Sequence, residues 1–176
     1  MTVTDRPNIA RFSGCHRYRY VLTREFGGDS TCLFIMLNPS SADADQDDPT
    51  VRRCIGFARR GGFGRLEVVN LYAFRSTSPS ALFTALDPVG PDNVSEIREA
   101  LGRADMVIAA WGNNAEVNDN PGRVGEVMAL IERSGKPVKC FGLTRQGQPR
   151  HPLYLRSDAG LMPFKYAAGT LHVIVS

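Results

Sequence analysis

Asparagine, aspartate, arginine and histidine gather where the apolar runs of this chain stop. After the run Phe34 to Leu37 come Asn38, Pro39 and Ser40, then Asp43, Asp45, Asp47 and Asp48, then Arg52 and Arg53. A second run ends on Asn70, Tyr72 and Arg75, a third on Trp111, Gly112, Asn113 and Asn114, and a fourth on Thr144 and Arg145, followed by Arg150 and His151. An asparagine amide carries a donor and an acceptor side by side, so it can read the edge of a heterocycle. Tyr72 or Trp111 can stack on the face of such a ring, and Arg75, Arg145 or Arg150 can meet a phosphate. The set suits a planar heterocycle attached to something anionic. Packing at strand ends is the competing use for Tyr72 and Trp111, and turn formation is the competing use for Asn38.

His151 sits in Arg150-His151-Pro152, where an imidazole can donate to an oxygen that turns negative as a bond breaks, or act as general acid or base. A solvated loop position is its plainer reading. In the acidic stretch Asp48 is suited to cap a helix whose first residue is Pro49. That leaves Asp43 and Asp45 to face a crevice, where a carboxylate orients water or stabilises positive charge developing on a sugar. Arg52 and Arg53 then fall in the first helical turn, where they oppose the helix dipole and call for a partner, either these aspartates or a bound phosphate. A calcium loop fails, because its sixth position is Asp48 rather than glycine and its twelfth is Cys54 rather than glutamate. A magnesium-dependent phosphoesterase built on the aspartates lacks a second acidic or histidine cluster downstream. No metal site and no cofactor are expected.

The elements that would position these residues are legible from periodicity. Residues 31–37, 66–72, 106–111 and 138–143 are short, continuously apolar runs of the kind found in strands covered on both faces. Between them lie helical patterns over 49–60 and 93–103, and a third that starts at Asn120-Pro121 and is ended by Gly135. Strand and helix alternate, which predicts a three-layer α/β/α domain around a central, mainly parallel four-stranded sheet with right-handed connections. Residues 17–22 and 171–175 are candidate edge strands. In such sheets ligands bind beyond the carboxyl ends of the strands, which is where the polar residues above collect.

Composition narrows the setting. A chain of 176 residues with no linker or repeat is read as a single domain spanning 1–176, with 1–16 as an irregular N-terminal arm; about two-thirds of its unfolded surface can be buried without staples. The net charge of +3 is mild, but Lys136, Lys139 and Lys165 are the only lysines, and the arginine fork that dominates favours phosphate or carboxylate partners. Cys15, Cys32, Cys54 and Cys140 are too scattered for zinc or a redox pair and read as reduced core thiols. There is no apolar leader and no run near the ~20 residues that span a bilayer, so no membrane association and a cytoplasmic location are expected.

The blocks "RYRYVLTREF", "FIMLNPSSADADQDDPTVRR", "VVNLYAFRSTSP", "DPVGPDN", "AAWGNN" and "GLTRQGQPRHPLYL", over residues 17–164, resemble the bacterial family known as domain of unknown function 1643. Their order also resembles, more distantly, the uracil-DNA glycosylase superfamily, especially its mismatch-specific branch. "MLNPS" stands where that superfamily has a G-x-N-P-G-like turn, and "RHPLYL" where it has a His-Pro loop. The likeness implies a four-stranded parallel sheet flanked by helices, a water positioned by Asn38 and a departing base stabilised by His151. This sequence departs from the pattern at Ser40, where glycine is usual, at Asn38, where the uracil-specific branch has an activating aspartate, and in the residues after His151-Pro152. It also lacks the cysteines of cluster-binding members. The expectation is a nucleobase- or nucleotide-directed enzyme, a DNA glycosylase-like hydrolase cleaving or exchanging an N-glycosidic bond, with nucleic acid or a nucleotide as partner. A non-catalytic nucleotide- or nucleic-acid-binding module and a metal-dependent phosphoesterase are the alternatives.

Overall fold

Residues Thr31–Met36 read Thr-Cys-Leu-Phe-Ile-Met and are buried at every position, so the strand they form must have neighbours on both sides and cover on both faces. In the computed structural model, which describes residues 8–114, 121–167 and 169–174, this is strand β3 of one eight-stranded mixed sheet. The others are β1 (Ile9–Phe12), β2 (Arg19–Glu25), β4 (Arg65–Asn70), β5 (Met106–Ala109), β6 (Val138–Cys140), β7 (Met162–Ala167) and β8 (Thr170–Val173). Their spatial order is β1-β2-β4-β3-β5-β6-β7-β8. β4, β3, β5 and β6 pair in parallel, with Phe34 opposite Val68 on one side and Ile108 on the other. The outer pairings are antiparallel.

Four α-helices accompany the sheet among the described residues: α1 (Pro49–Arg60), α2 (Pro79–Thr84), α3 (Asn93–Arg103) and α4 (Pro121–Ser134). Alternation along the strands sorts the core into two clusters, as the period-2 geometry of a strand requires. Leu33, Ile35, Val69, Val107 and Ala109 join Ile97 and Leu101 of α3 and Val127 and Ile131 of α4. Cys32, Phe34, Leu66, Val68 and Ile108 join Val51, Cys54, Phe57 and Ala58 of α1. α1 starts as its sequence dictates: the Asp48 carboxylate accepts from the Val51 N–H at 2.8 Å, with Pro49 next to it. At the end of α4, Gly135 takes φ +66 and donates to the Glu132 carbonyl, which closes the helix.

Several expectations are corrected. The sheet has eight strands rather than four. The segment read as an edge strand near residues 17–22 is the interior strand β2, because Ile9–Phe12, assigned to an irregular arm, pairs along its outer side. That strand is only four residues long and has no buried position, which leaves little apolar pattern to read; its pairing shifts register at Arg11 and Phe12. α2 and β7 were not foreseen; β7 has a proline at its second position and exposed or half-buried residues at most of its length. Cys32, Cys54 and Cys140 are buried thiols, and burial pushes Cys32 up to about 12. Cys15 instead is exposed, and a hydrogen bond with the Ser13 hydroxyl brings its thiol down to about 7. The proposed start of α4 at Asn120 lies outside the described residues. No helix among those described is long and apolar enough to cross a membrane.

Candidate functional site

The carboxyl ends of the parallel strands do not close on themselves. β3, β4 and β5 stay locked together to their last residues, with Leu71 N–H on the Met36 carbonyl at 2.8 Å and Ala110 N–H on the Ile35 carbonyl at 2.9 Å. Beyond them the chain splays, and a cavity of about 420 Å³ opens between the strand ends, the first turn of α1 and the loop that carries His151. Asn38, Ser40, Asn70, Trp111, Asn113, Thr144, Arg150 and His151 all line it, so eight side chains expected to share a rim do share one.

Each is held differently. The Asn38 Nδ2 donates to the carbonyls of Pro39 at 3.0 Å and Ser76 at 2.9 Å. Both amide protons are thereby committed, and what Asn38 offers the cavity is the acceptor Oδ1. Asn70, at the end of β4, is 1% exposed, and among the described residues neither its Nδ2 nor its Oδ1 has a hydrogen-bond partner. Leaving a buried donor and acceptor unmade costs about 1–3 kcal/mol for each group, so this amide is poised for a ligand or solvent that enters the cavity. Trp111 is buried and donates its indole N–H to the Gln148 Oε1 at 2.8 Å, which fixes the ring as a wall. Thr144 organises the turn below it by accepting from the N–H groups of Gln146 and Gln148.

His151 begins a single 3₁₀ turn, Pro152–Tyr154, and its Nδ1 accepts from the Leu153 N–H at 3.2 Å. In the neutral ring the proton therefore sits on Nε2. Burial pushes this imidazole below its ordinary value, against the attraction of the Asp48 carboxylate. The neighbour that permits its position is Gly112, where φ is +78 and an added Cβ would lie 2.9 Å from the His151 Cβ. Arg53 of α1 clamps the same loop from behind, donating to the carbonyls of Pro152 and Leu155.

Seven expected site residues lie outside the cavity lining. The Asp43 carboxylate accepts from the N–H groups of Asp45 and Gln46, an Asx turn that also lowers its pKa. Asp45 is exposed. Arg52 donates to the Asp47 carbonyl, and Arg53 serves the His151 loop. Tyr72, expected to stack on a ligand, is 1% exposed and packs edge-on to Phe83 at 5.4 Å. The guanidinium of Arg75 lies 4.8 Å over Phe12 and donates to the His16 carbonyl. Arg145 is exposed at the tip of its turn. The four aspartates do not converge, and among the described residues no three His, Cys, Asp or Glu side chains come together around a metal position.

Asp48, Tyr154 and Arg19 are among the lining residues not foreseen in this role. Asp48 caps α1 and also faces the cavity. Tyr154 stands at the mouth, 84% exposed, its ring 5.7 Å from that of His151. Arg19, on β2, is 3% exposed; its Nη1 donates to the Ala42 carbonyl at 2.7 Å while its buried Nε has no partner. Burial lowers its pKa to about 10, with Asp48 acting in the opposite direction. Arg19 was not foreseen because residues 17–22 were read as an edge strand, whereas β2 lies inside the sheet. A family model described as "Protein of unknown function (DUF1643)" matches residues 19–153, which spans the cavity from Arg19 to His151. No curated protein and no solved structure matches the chain.

Proposed function

This chain belongs to the DUF1643 family of proteins of unknown function, and on that premise we propose that it is a nucleobase- or nucleotide-directed enzyme, a glycosylase-like hydrolase acting on an N-glycosidic bond. The observation that carries the reading is the Asn70 amide, buried in the lining with donor and acceptor both unpartnered. A heterocycle edge that presents an acceptor beside a donor satisfies both atoms at once, as few other ligand groups do. The parallel pairing of β4, β3, β5 and β6, with helices in both core clusters, supports the likeness to the uracil-DNA glycosylase superfamily.

The roles follow from which atoms are left uncommitted. Asn38 Oδ1 accepts from the attacking water and orients it. As the water oxygen bonds to the anomeric carbon, the bond from that carbon to the base nitrogen breaks and its electron pair stays with the base. The neutral His151 donates from Nε2 to an oxygen of the departing base, and the proton lost by the water passes to solvent. Asp48 takes the place expected for Asp43 or Asp45, stabilising positive charge on the sugar. Tyr154, exposed at the mouth, takes the stacking role expected for Tyr72. A base held in a duplex would first be turned out of the stack at a cost of a few kcal/mol.

The test is direct. The protein is incubated with single- and double-stranded oligonucleotides carrying uracil, hypoxanthine or hypermodified bases, and free base is sought by mass spectrometry. Release from one of these, reduced about 100-fold or more in His151→Ala, is the expected result. Absence of release from every substrate would sink the hydrolase reading. Equal binding by wild type and variant without release would leave a binding module.

A further inference from the structure

Arg19 is a buried cation with no ion pair among the described residues. No carboxylate there forms a salt bridge with its guanidinium. This is unusual, because an arginine so deeply buried is ordinarily matched by a carboxylate. Arg24, five residues along the same strand and also buried, is matched by Asp47 at 2.7 Å. The carboxylate nearest in effect to Arg19, that of Asp48, already accepts from the Val51 N–H as the cap of α1. The Ala42 carbonyl takes one guanidinium donor, and a second, Nε, is buried with none. Arg19 shares the cavity lining with Asn70, so two side chains that carry unpartnered polar atoms meet at the same cavity.

We infer that Arg19 is the anion-binding residue of this cavity and that the ligand's buried end carries an oxyanion, from a carboxylate or a phosphate. A planar fork of donors suits such a group in two-pronged fashion, and a neutral carbonyl would leave the charge unmatched. The inference rests on the same cavity as the nucleobase reading and adds charge to it: Asn70 reads the heterocycle while Arg19 selects for an anionic rather than a neutral form.

Matched pairs that differ only in charge test it by isothermal titration. Orotate is compared with orotamide for a carboxylate source, and uridine monophosphate with uridine for a phosphate source, in wild type, Arg19→Gln and Arg19→Lys. In wild type one pair is expected to favour its anionic member by about tenfold or more. Arg19→Gln removes that preference and Arg19→Lys keeps part of it. Should Arg19→Gln fail to fold, the wild-type pairs together with Arg19→Lys decide, since a residue that only tethers Ala42 would leave the charge preference unchanged. Pyrimidines that bind with no charge preference, or with one that survives in both variants, overturn the inference and leave the nucleobase reading intact. If no pyrimidine binds, benzoate and inorganic phosphate are titrated alone. Arg19-dependent binding of either then supports the anion site while the nucleobase reading falls, and its absence overturns the anion site as well.

Discussion

Glu67 and Asn70 stand three residues apart on β4, both removed from solvent, and the fold treats them in opposite ways. Glu67 is wholly buried yet saturated: Arg103 reaches it with Nε at 3.0 Å and Nη2 at 3.0 Å, and Arg65 with Nη2 at 2.8 Å. Asn70 is equally buried and has no partner at either end of its amide. Around the first, Glu25 adds a further contact to Arg65, and Thr31 N–H binds the Asp105 carboxylate at 2.7 Å. Around the second lie Arg19 with an unpartnered donor and a cavity. The amino ends of the parallel strands are thus built to hold the sheet together, whereas the carboxyl ends forgo that stabilisation to keep polar atoms open. Unsatisfied polar groups are tolerated in folded proteins where function uses them.

Replacing Glu67 by Ala is the strongest way to attack this contrast. It leaves two arginines facing an apolar hole, and a loss of about 2–3 kcal/mol is expected in chemical denaturation. The figure lies below that for a fully enclosed pair because Arg65 and Arg103 keep side-chain exposures of 24% and 35% and can turn to water. A loss under about 0.5 kcal/mol, the level of an ordinary surface substitution, would mean that the network adds nothing and that the two ends are not differently built.

Asn70→Leu probes the other side, with the opposite sign and a smaller size. It removes two unmet hydrogen-bonding atoms, and the cavity leaves room for the added volume. A gain of about 1 kcal/mol is expected, accompanied by loss of base release and of pyrimidine binding. A variant that is less stable than wild type would show that the Asn70 amide is satisfied in the native protein, and the case for a waiting ligand would go with it.

The parallel core and its helices were open to sequence reading because burial on both faces leaves uninterrupted apolar runs such as residues 31–36, and because Asp48-Pro49 is a local start signal. The rim followed from topology alone: whatever stands after a parallel strand is near its neighbours' ends, and Asn38, Asn70, Trp111 and His151 accordingly share a cavity. What could not be read were the properties that depend on partners far along the chain. Tyr72 is in the core because α2 brings Phe83 against it, and α2 is only six residues long. Arg19 is interior because the loop after β3 comes back to it, with the Ala42 carbonyl accepting from its Nη1. Asp43 looked available because nothing in the sequence says that its own following N–H groups would take it.

The smallest expected effect concerns the pH at which the open end of the sheet works. Burial favours the neutral form of His151, so its folded pKa lies below the ordinary imidazole value of 6.5, and its Nδ1 accepts from the Leu153 N–H. The unfolded chain then binds more protons than the folded one as pH falls past 6.5. The contribution to stability is therefore full above 6.5 and is lost as pH falls through the lower folded value. Base release should be flat above 6.5, with its acid limb below it, because only the neutral ring both accepts from Leu153 and donates from Nε2. Asp48 is the charge that opposes this shift. Asp48→Asn, which still caps a helix, should slow the reaction yet move the acid limb to lower pH. A pH–rate profile whose limb stays in place in that variant would separate His151 from Asp48, and an acid limb above 6.5 in wild type would assign the titration to a group other than a buried neutral histidine.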